Sequence, residues 1–148
     1  MTPDDAQAPE TAAAPKSNII HPARPLHRKY VEPILYLADR MAESDKQLAA
    51  AERRMVDELA ANAKVKDMRR QKWYRDLNDK TACERLDIDA AKLGALVVLT
   101  LVLKADIKKK PDEHSYFTRI RTQLDAPPIV VPVDIDAHRK LALAYIGG

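Results

Sequence analysis

Residues Ala90–Lys104 read AAKLGALVVLTLVLK, and the middle of this stretch, Leu96 to Leu103, would be apolar on every face of a helix. A helix without a polar face belongs at the centre of a bundle, surrounded by other helices. The β-branched residues would also suit a buried strand, but no neighbouring segment offers the alternating pattern of a strand partner. Asp89 stands where an N-cap would, and the run from Leu93 to Leu103 is shorter than the roughly 18 to 20 residues that span a bilayer. The stretch therefore predicts a central core helix and, with it, an all-α fold.

Segments on either side read as further helices. Pro33 suits a helical first turn, and Ile34, Leu37, Ala38 and Met41 recur at helical spacing after it, predicting a helix to about Ala42. Leu48, Ala51, Met55, Leu59 and Ala63 form the expected inner face of a second helix, with Glu52, Arg53, Asp57 and Glu58 mostly off it. Met68, Trp73 and Leu77 mark a third, less regular helix. Thr81 followed by Glu84 is a capping-box spacing and predicts a short helix through Leu86. After the central helix, Pro111 with Asp112 and Glu113 opens another, carrying Tyr116, Phe117, Ile120 and Leu124 inward and ending at Ala126. Prolines make residues 127–133 extended, and a last helix from about Asp136 to Ile146 turns Leu141 and Tyr145 inward.

Composition bounds the rest. The chain has 148 residues, enough for one domain with a substantial core, and only 3 glycines, which disfavours a fold of many tight β turns. Residues 1–28 are rich in proline and alanine and cannot bury enough surface to offset their ordering entropy, so they read as a disordered tail before a helical domain at 29–148. The single cysteine, Cys83, excludes an internal disulfide or a multi-cysteine metal site. With no signal-peptide pattern at the N-terminus, a reducing, cytoplasmic setting is expected. A net charge of +3 from 25 basic and 22 acidic residues does not require nucleic acid as a partner.

Comparison of the chain with itself reveals a repeat. An apolar helix reaches Asp45, and Glu52 stands seven residues later with Met55 and Leu59 after it; an apolar helix reaches Asp106, and Glu113 stands seven residues later with Tyr116 and Ile120 after it. Leu37 and Met41 correspond to Val98 and Val102. Each unit is a helix hairpin that can bring its two carboxylates together across the turn. Glu at a helix start is favourable, whereas Asp at a helix end opposes the dipole by roughly 0.3 to 1 kcal/mol. Ordinary hairpin capping would give the same residues a purely structural role.

This grammar resembles the TerB family of tellurite-resistance proteins and TerB-like domains, over about Tyr30 to Leu124. The resemblance implies a compact bundle of about six or seven helices built on two pseudo-repeated hairpins. It also implies that Asp45, Glu52, Asp106 and Glu113 gather into an acidic cluster able to hold a divalent cation such as Ca²⁺ or Mg²⁺. The function it implies is a non-enzymatic adaptor or sensor in a bacterial stress response, in contact with other proteins and in a membrane-associated complex. Lys46-Gln47 and Ile107-Lys108-Lys109-Lys110 stand where the family usually has glycine and further acids.

Other constellations are weaker. His114 beside Glu113 could add a nitrogen ligand, but a local surface role is the simpler expectation. Cys83 lacks any signature of a positioned base, and Gly94, the one internal glycine after residue 1, more readily permits close helix packing than phosphate binding. No catalytic residue is identified. A two-metal hydrolytic site would need more ligands than the chain supplies. The alternative reading is a nucleic-acid-binding module using Arg69, Arg70, Lys72, Trp73 and Arg75, where cations would meet phosphates and an aromatic would stack on a base. Asp67, Asp76 and Asp79 dilute that cluster.

Overall fold

The computed structural model describes residues 24–44, 50–105, 111–126 and 129–147, the side chains of residues 111–114 excepted. Seven α-helices and one 3₁₀ turn, with no strand, account for the secondary structure among them. In order they are α1 (Arg28–Glu43), α2 (Ala50–Asn62), a 3₁₀ turn (Met68–Arg70), α3 (Lys72–Asp76), α4 (Asp79–Arg85), α5 (Asp89–Ala105), α6 (Pro111–Leu124) and α7 (Ile135–Ile146). The fold is the all-α bundle expected, with α5 at its centre.

Helix α5 touches α1, α2, α6 and α7, and nine of its residues are buried, from Ala91 to Val102. Gly94 is what lets it approach its neighbours. A Cβ there would stand 3.0 Å from Leu26 Cδ1 and 3.1 Å from the Tyr145 ring, tighter than ordinary packing allows. The Leu26 N–H also donates to the Tyr145 carbonyl at 2.7 Å. Residues just before α1 are thus fastened to the end of α7.

Helix α1 starts five residues earlier than Pro33 suggested. His27 is its N-cap, with Nδ1 accepting from the Lys29 N–H at 3.1 Å. Pro33 lies inside the helix, where its ring is buried against the core. Burial of the ring offsets the intrahelical bond its nitrogen cannot make.

The cap of α4 is also displaced. Asn78, not Thr81, occupies the N-cap, and its Oδ1 accepts from the Thr81 N–H at 2.8 Å. Thr81 falls within the first turn, so the capping-box reading is replaced by an Asn cap three residues earlier. Asn at this position is as effective as Ser or Thr. Asp134 similarly caps α7, accepting from the Ala137 N–H at 2.9 Å.

Helix α2 is turned relative to the expected face. Glu52, Met55, Val56, Leu59 and Ala60 are buried, while Ala51 is exposed. Val56 and Ala60 widen the stripe to one side, and Glu52 comes inside with them.

Along the segment after α6, Ile129 and Val131 are half-buried, whereas Val130 and Val133 face solvent. Lys104 fixes this connection by donating Nζ to the Pro132 carbonyl at 2.6 Å. The inner face of α7 carries His138, Ala142, Tyr145 and Ile146; Leu141 is only half-buried.

Candidate acidic site

The two hairpins that carry the repeat, α1–α2 and α5–α6, pack against each other. Helices α1 and α5 pack side by side, α2 rests on α5, and α6 rests on α1. Each unit's second helix therefore touches the other unit's first helix as well as its own. Positions matched by the repeat are buried in both copies. Leu37 and Met41 correspond to Val98 and Val102, and Met55, Val56 and Leu59 to Tyr116, Phe117 and Ile120, with none more than 9% exposed.

Of the four predicted site residues, Glu52 is the one whose side chain is described. It stands in the first turn of α2 and is fully buried, and among the described residues neither carboxylate oxygen has a hydrogen-bond partner. Glu113 lies in the first turn of α6, matching Glu52 in register, with its side chain outside the described part. Asp45 and Asp106 lie outside the described residues, as do Lys46, Lys108, Lys109 and Lys110; the His114 side chain is likewise outside. Among the described residues no three His, Cys, Asp or Glu side chains gather as a metal site.

Helix geometry explains why Glu52 is inside. Met55, Val56 and Leu59 lie three, four and seven positions further on, so burying that stripe carries the glutamate with it. Nearby Glu43, at the end of α1, is half-exposed and reaches Arg40 at 3.3 Å and Arg53 at 4.0 Å. A shallow open depression runs along the outer side of α2 past Arg53, Arg54, Asp57 and Glu58, and Glu52 does not line it.

A second buried carboxylate, Asp39 on α1, was not singled out from the sequence. It is fully buried, but well satisfied. Arg69 Nε donates to both Asp39 oxygens at 3.1 Å, Arg69 Nη2 also donates to Oδ1, and the Tyr74 hydroxyl donates to Oδ2 at 2.5 Å. Burial and then the bond to Asp39 push the Tyr74 hydroxyl well above its ordinary pKa. Its ring leans on Tyr36, with centroids 5.0 Å apart. The sequence signal was available: Asp39 interrupts the apolar run Ile34–Ala42 on the helix's inner side.

A third network joins α4 to α6. Asp79 accepts from the Tyr116 hydroxyl at 2.9 Å and from Arg119 at 3.1 Å. Burial, then Asp79, raises the Tyr116 pKa, and the same two causes push the Cys83 thiol up to about 11. Cys83 is buried and, at neutral pH, a thiol without nucleophilic character.

The basic residues proposed for nucleic acid are divided by the fold. Arg69 is held by Asp39, with Asp57 3.4 Å away, and is therefore committed inward. Arg70, Lys72 and Arg75 are exposed, and Trp73 is half-buried, edge-on to Tyr74. Lastly, His138 is fully buried at the α5–α7 contact, its Nε2 2.8 Å from the Val97 carbonyl and its Nδ1 without a partner among the described residues. Its spacing to Ala142 and Tyr145 is that of an inner helical face, which would have marked it as a core residue.

No helix among the described residues is long and apolar enough to cross a membrane. Comparison of the chain with family models, curated proteins and solved structures gives no match.

Proposed function

We propose that this chain is a non-enzymatic adaptor or sensor domain of TerB-like type, acting by contact with other proteins and tuned by a divalent cation. The observation that carries the reading is the buried carboxylate of Glu52 at the start of α2, which has no hydrogen-bond partner among the described residues. An ionised carboxylate in such a place costs several kcal/mol unless a cation or a proton neutralises it. Asp45, Asp106 and Glu113 are the residues that the repeat would add to Glu52, and an oxygen-only set favours a hard ion such as Ca²⁺ or Mg²⁺. The packing of the two hairpins against each other supports the same reading, because Glu52 and Glu113 hold the same position in the first turns of α2 and α6. Bound at that point, a cation would couple the turn of one hairpin to the other and so alter the surface offered to a partner. By the resemblance to TerB-like domains, that partner would belong to a bacterial stress response.

Thermal melting of chelated protein, with and without millimolar Ca²⁺ or Mg²⁺, tests the proposal. At one hundred times its dissociation constant the ion adds about 2.7 kcal/mol, a rise of several degrees at this chain length. Changing Asp45 and Asp106 to Asn should remove the shift. Glu52→Gln should remove it too, while raising the midpoint of the metal-free protein. A parent that melts alike with and without metal, or a double variant that keeps the full shift, refutes the cation site.

A further inference from the structure

At the end of the bundle where α1 begins and α2 stops, six exposed cations occupy one stretch of surface. Arg28 and Lys29 come from α1, Lys64 and Lys66 from the connection after α2, and Arg70 and Lys72 from either side of Gln71. Two hydrogen bonds hold the three segments together: Arg28 Nη1 donates to the Ala63 carbonyl at 3.4 Å, and Gln71 Nε2 to the Lys66 carbonyl at 3.0 Å. The carboxylates in the same segments are Glu32, 3.4 Å from Arg28, and Asp67. Six cations against two carboxylates exceed the whole-chain net charge of +3, so the rest of the chain is on balance negative. These segments therefore form a local positive pole, six cations against two carboxylates.

Lys64 has a further property. It stands at φ 62 and ends α2, where the Val65 N–H reaches back to the Ala60 carbonyl at 2.9 Å and the Lys64 N–H to that of Ala61 at 3.0 Å. Glycine takes this left-handed position without steric cost, and it is the usual residue there. A lysine therefore stands at this position against the local backbone preference, within the positive pole.

The character of the surface selects among polyanions. Single-stranded nucleic acid is gripped by free aromatic faces. Here the Tyr74 hydroxyl is committed to Asp39 and its ring to Tyr36, Trp73 is edge-on to Tyr74, and the Lys29 ammonium lies over the Tyr30 ring. A duplex groove admits a helix or a two-stranded ribbon, whereas α3 has only 5 residues. What this surface offers is charge alone, and a cluster of about four to eight Lys or Arg is what an anionic lipid leaflet attracts. We infer that this pole, centred on Lys64 and Lys66, docks the domain on an anionic membrane surface by electrostatic contact with lipid headgroups.

Cosedimentation of the full chain with vesicles tests the inference, using phosphatidylcholine alone or with about one-third phosphatidylserine at an ionic strength near 0.1 M, where the Debye length is about 10 Å. Sedimentation should depend on phosphatidylserine and fade as salt rises. Lys64→Gly with Lys66→Ser should weaken it about fivefold for each charge removed, without lowering the melting midpoint. Lys72→Ser should act in the same direction on a different segment, and Lys80→Ser, on α4, should change binding less than about twofold, because Asp79 beside it lies toward Tyr36 and Arg40, more than two turns beyond the start of α1. Absence of phosphatidylserine-dependent sedimentation overturns the inference, as does an equal loss with Lys80→Ser. Retention by an oligonucleotide at a phosphate concentration where vesicles retain none would also overturn it, in favour of nucleic acid.

Discussion

Asp39 and Arg69 are thirty residues apart in sequence, yet the guanidinium of one covers both oxygens of the other inside the bundle. The pair ties the irregular 68–76 segment to the middle of α1, a link that the few buried residues of that segment could not make alone. The carboxylate is fully enclosed, whereas the Arg69 side chain is 31% exposed, so removing the two partners has unequal consequences. Arg69→Ala leaves an uncompensated buried charge and should cost about 3 kcal/mol, lowering the midpoint by roughly 10 °C at this size. Pairing it with Asp39→Leu should recover most of the loss, because the stranded charge is gone. Chemical denaturation of the two single variants and the double variant measures the coupling; additive losses would mean that the pair is not a unit.

His138 makes stability depend on pH. Burial lowers its pKa below the ordinary value, the bond to the Val97 carbonyl opposes that shift, and Lys104 adds to it. The folded protein therefore holds the neutral ring, while the unfolded chain titrates near pH 6.5. Below that pH the unfolded state binds the proton first, so the stability contributed by neutral His138 is full above about 6.5 and declines as pH falls toward the folded value. Melting between about pH 5 and 8 should show a midpoint that drops on acidification, and His138→Leu should flatten that slope. An unchanged slope in the variant would assign the acid sensitivity to other groups.

The bundle and its central helix were legible because their cause is local. The apolar run Leu96–Leu103 has no face to give to water, and the inner residues of α1 and α6 follow helical spacing. Legibility ended where tertiary contacts decide. Glu52 looked like a surface acid at a helix start, but Val56 and Ala60 draw that side of α2 inward. Arg69 read as one cation in a basic run until Asp39, from another helix, claimed it. Pro33 was assigned to a first turn by its usual preference, although the packing of its ring keeps it in the helix interior. The pairing of the repeats was visible as spacing alone; their packing against each other depends on contacts between helices that no single segment specifies.

The cap of α4 allows a simple discrimination. Asn78 accepts from the backbone N–H three residues on, while Thr81 sits in the first turn. Asn78→Ala should cost about 1 kcal/mol, the usual value of a lost N-cap, whereas Thr81→Ala should change stability by less than about half of that. Denaturant midpoints of the two variants test this. A greater loss at Thr81 would restore the capping box that its spacing with Glu84 suggested.

Residues before α1 should separate into two parts on truncation. Composition gives residues 1–23 few large apolar side chains, Ile19 and Ile20 being the adjacent pair, so their removal should leave the melting midpoint nearly unchanged. Leu26 is different. Its N–H donates to the Tyr145 carbonyl, and its side chain lies against Gly94 and the partly buried edge of the core. Deleting through Leu26 removes that hydrogen bond and uncovers the glycine surface of α5, at a cost of about 2 to 3 kcal/mol when the transfer of one large apolar side chain and one hydrogen bond are combined. Leu26→Ala in the full chain should lose most of the same amount. Gly94→Val probes the contact from the other side: its added methyl groups must displace Leu26 and Tyr145, and overpacking of this kind costs about 1 to 3 kcal/mol. Combined with Leu26→Ala, the valine should be better tolerated than alone, because the nearest obstruction has been removed. A truncation through Leu26 that melts like the parent, or a Gly94→Val loss that Leu26→Ala does not reduce, would show that Leu26 is not fastened between α5 and α7.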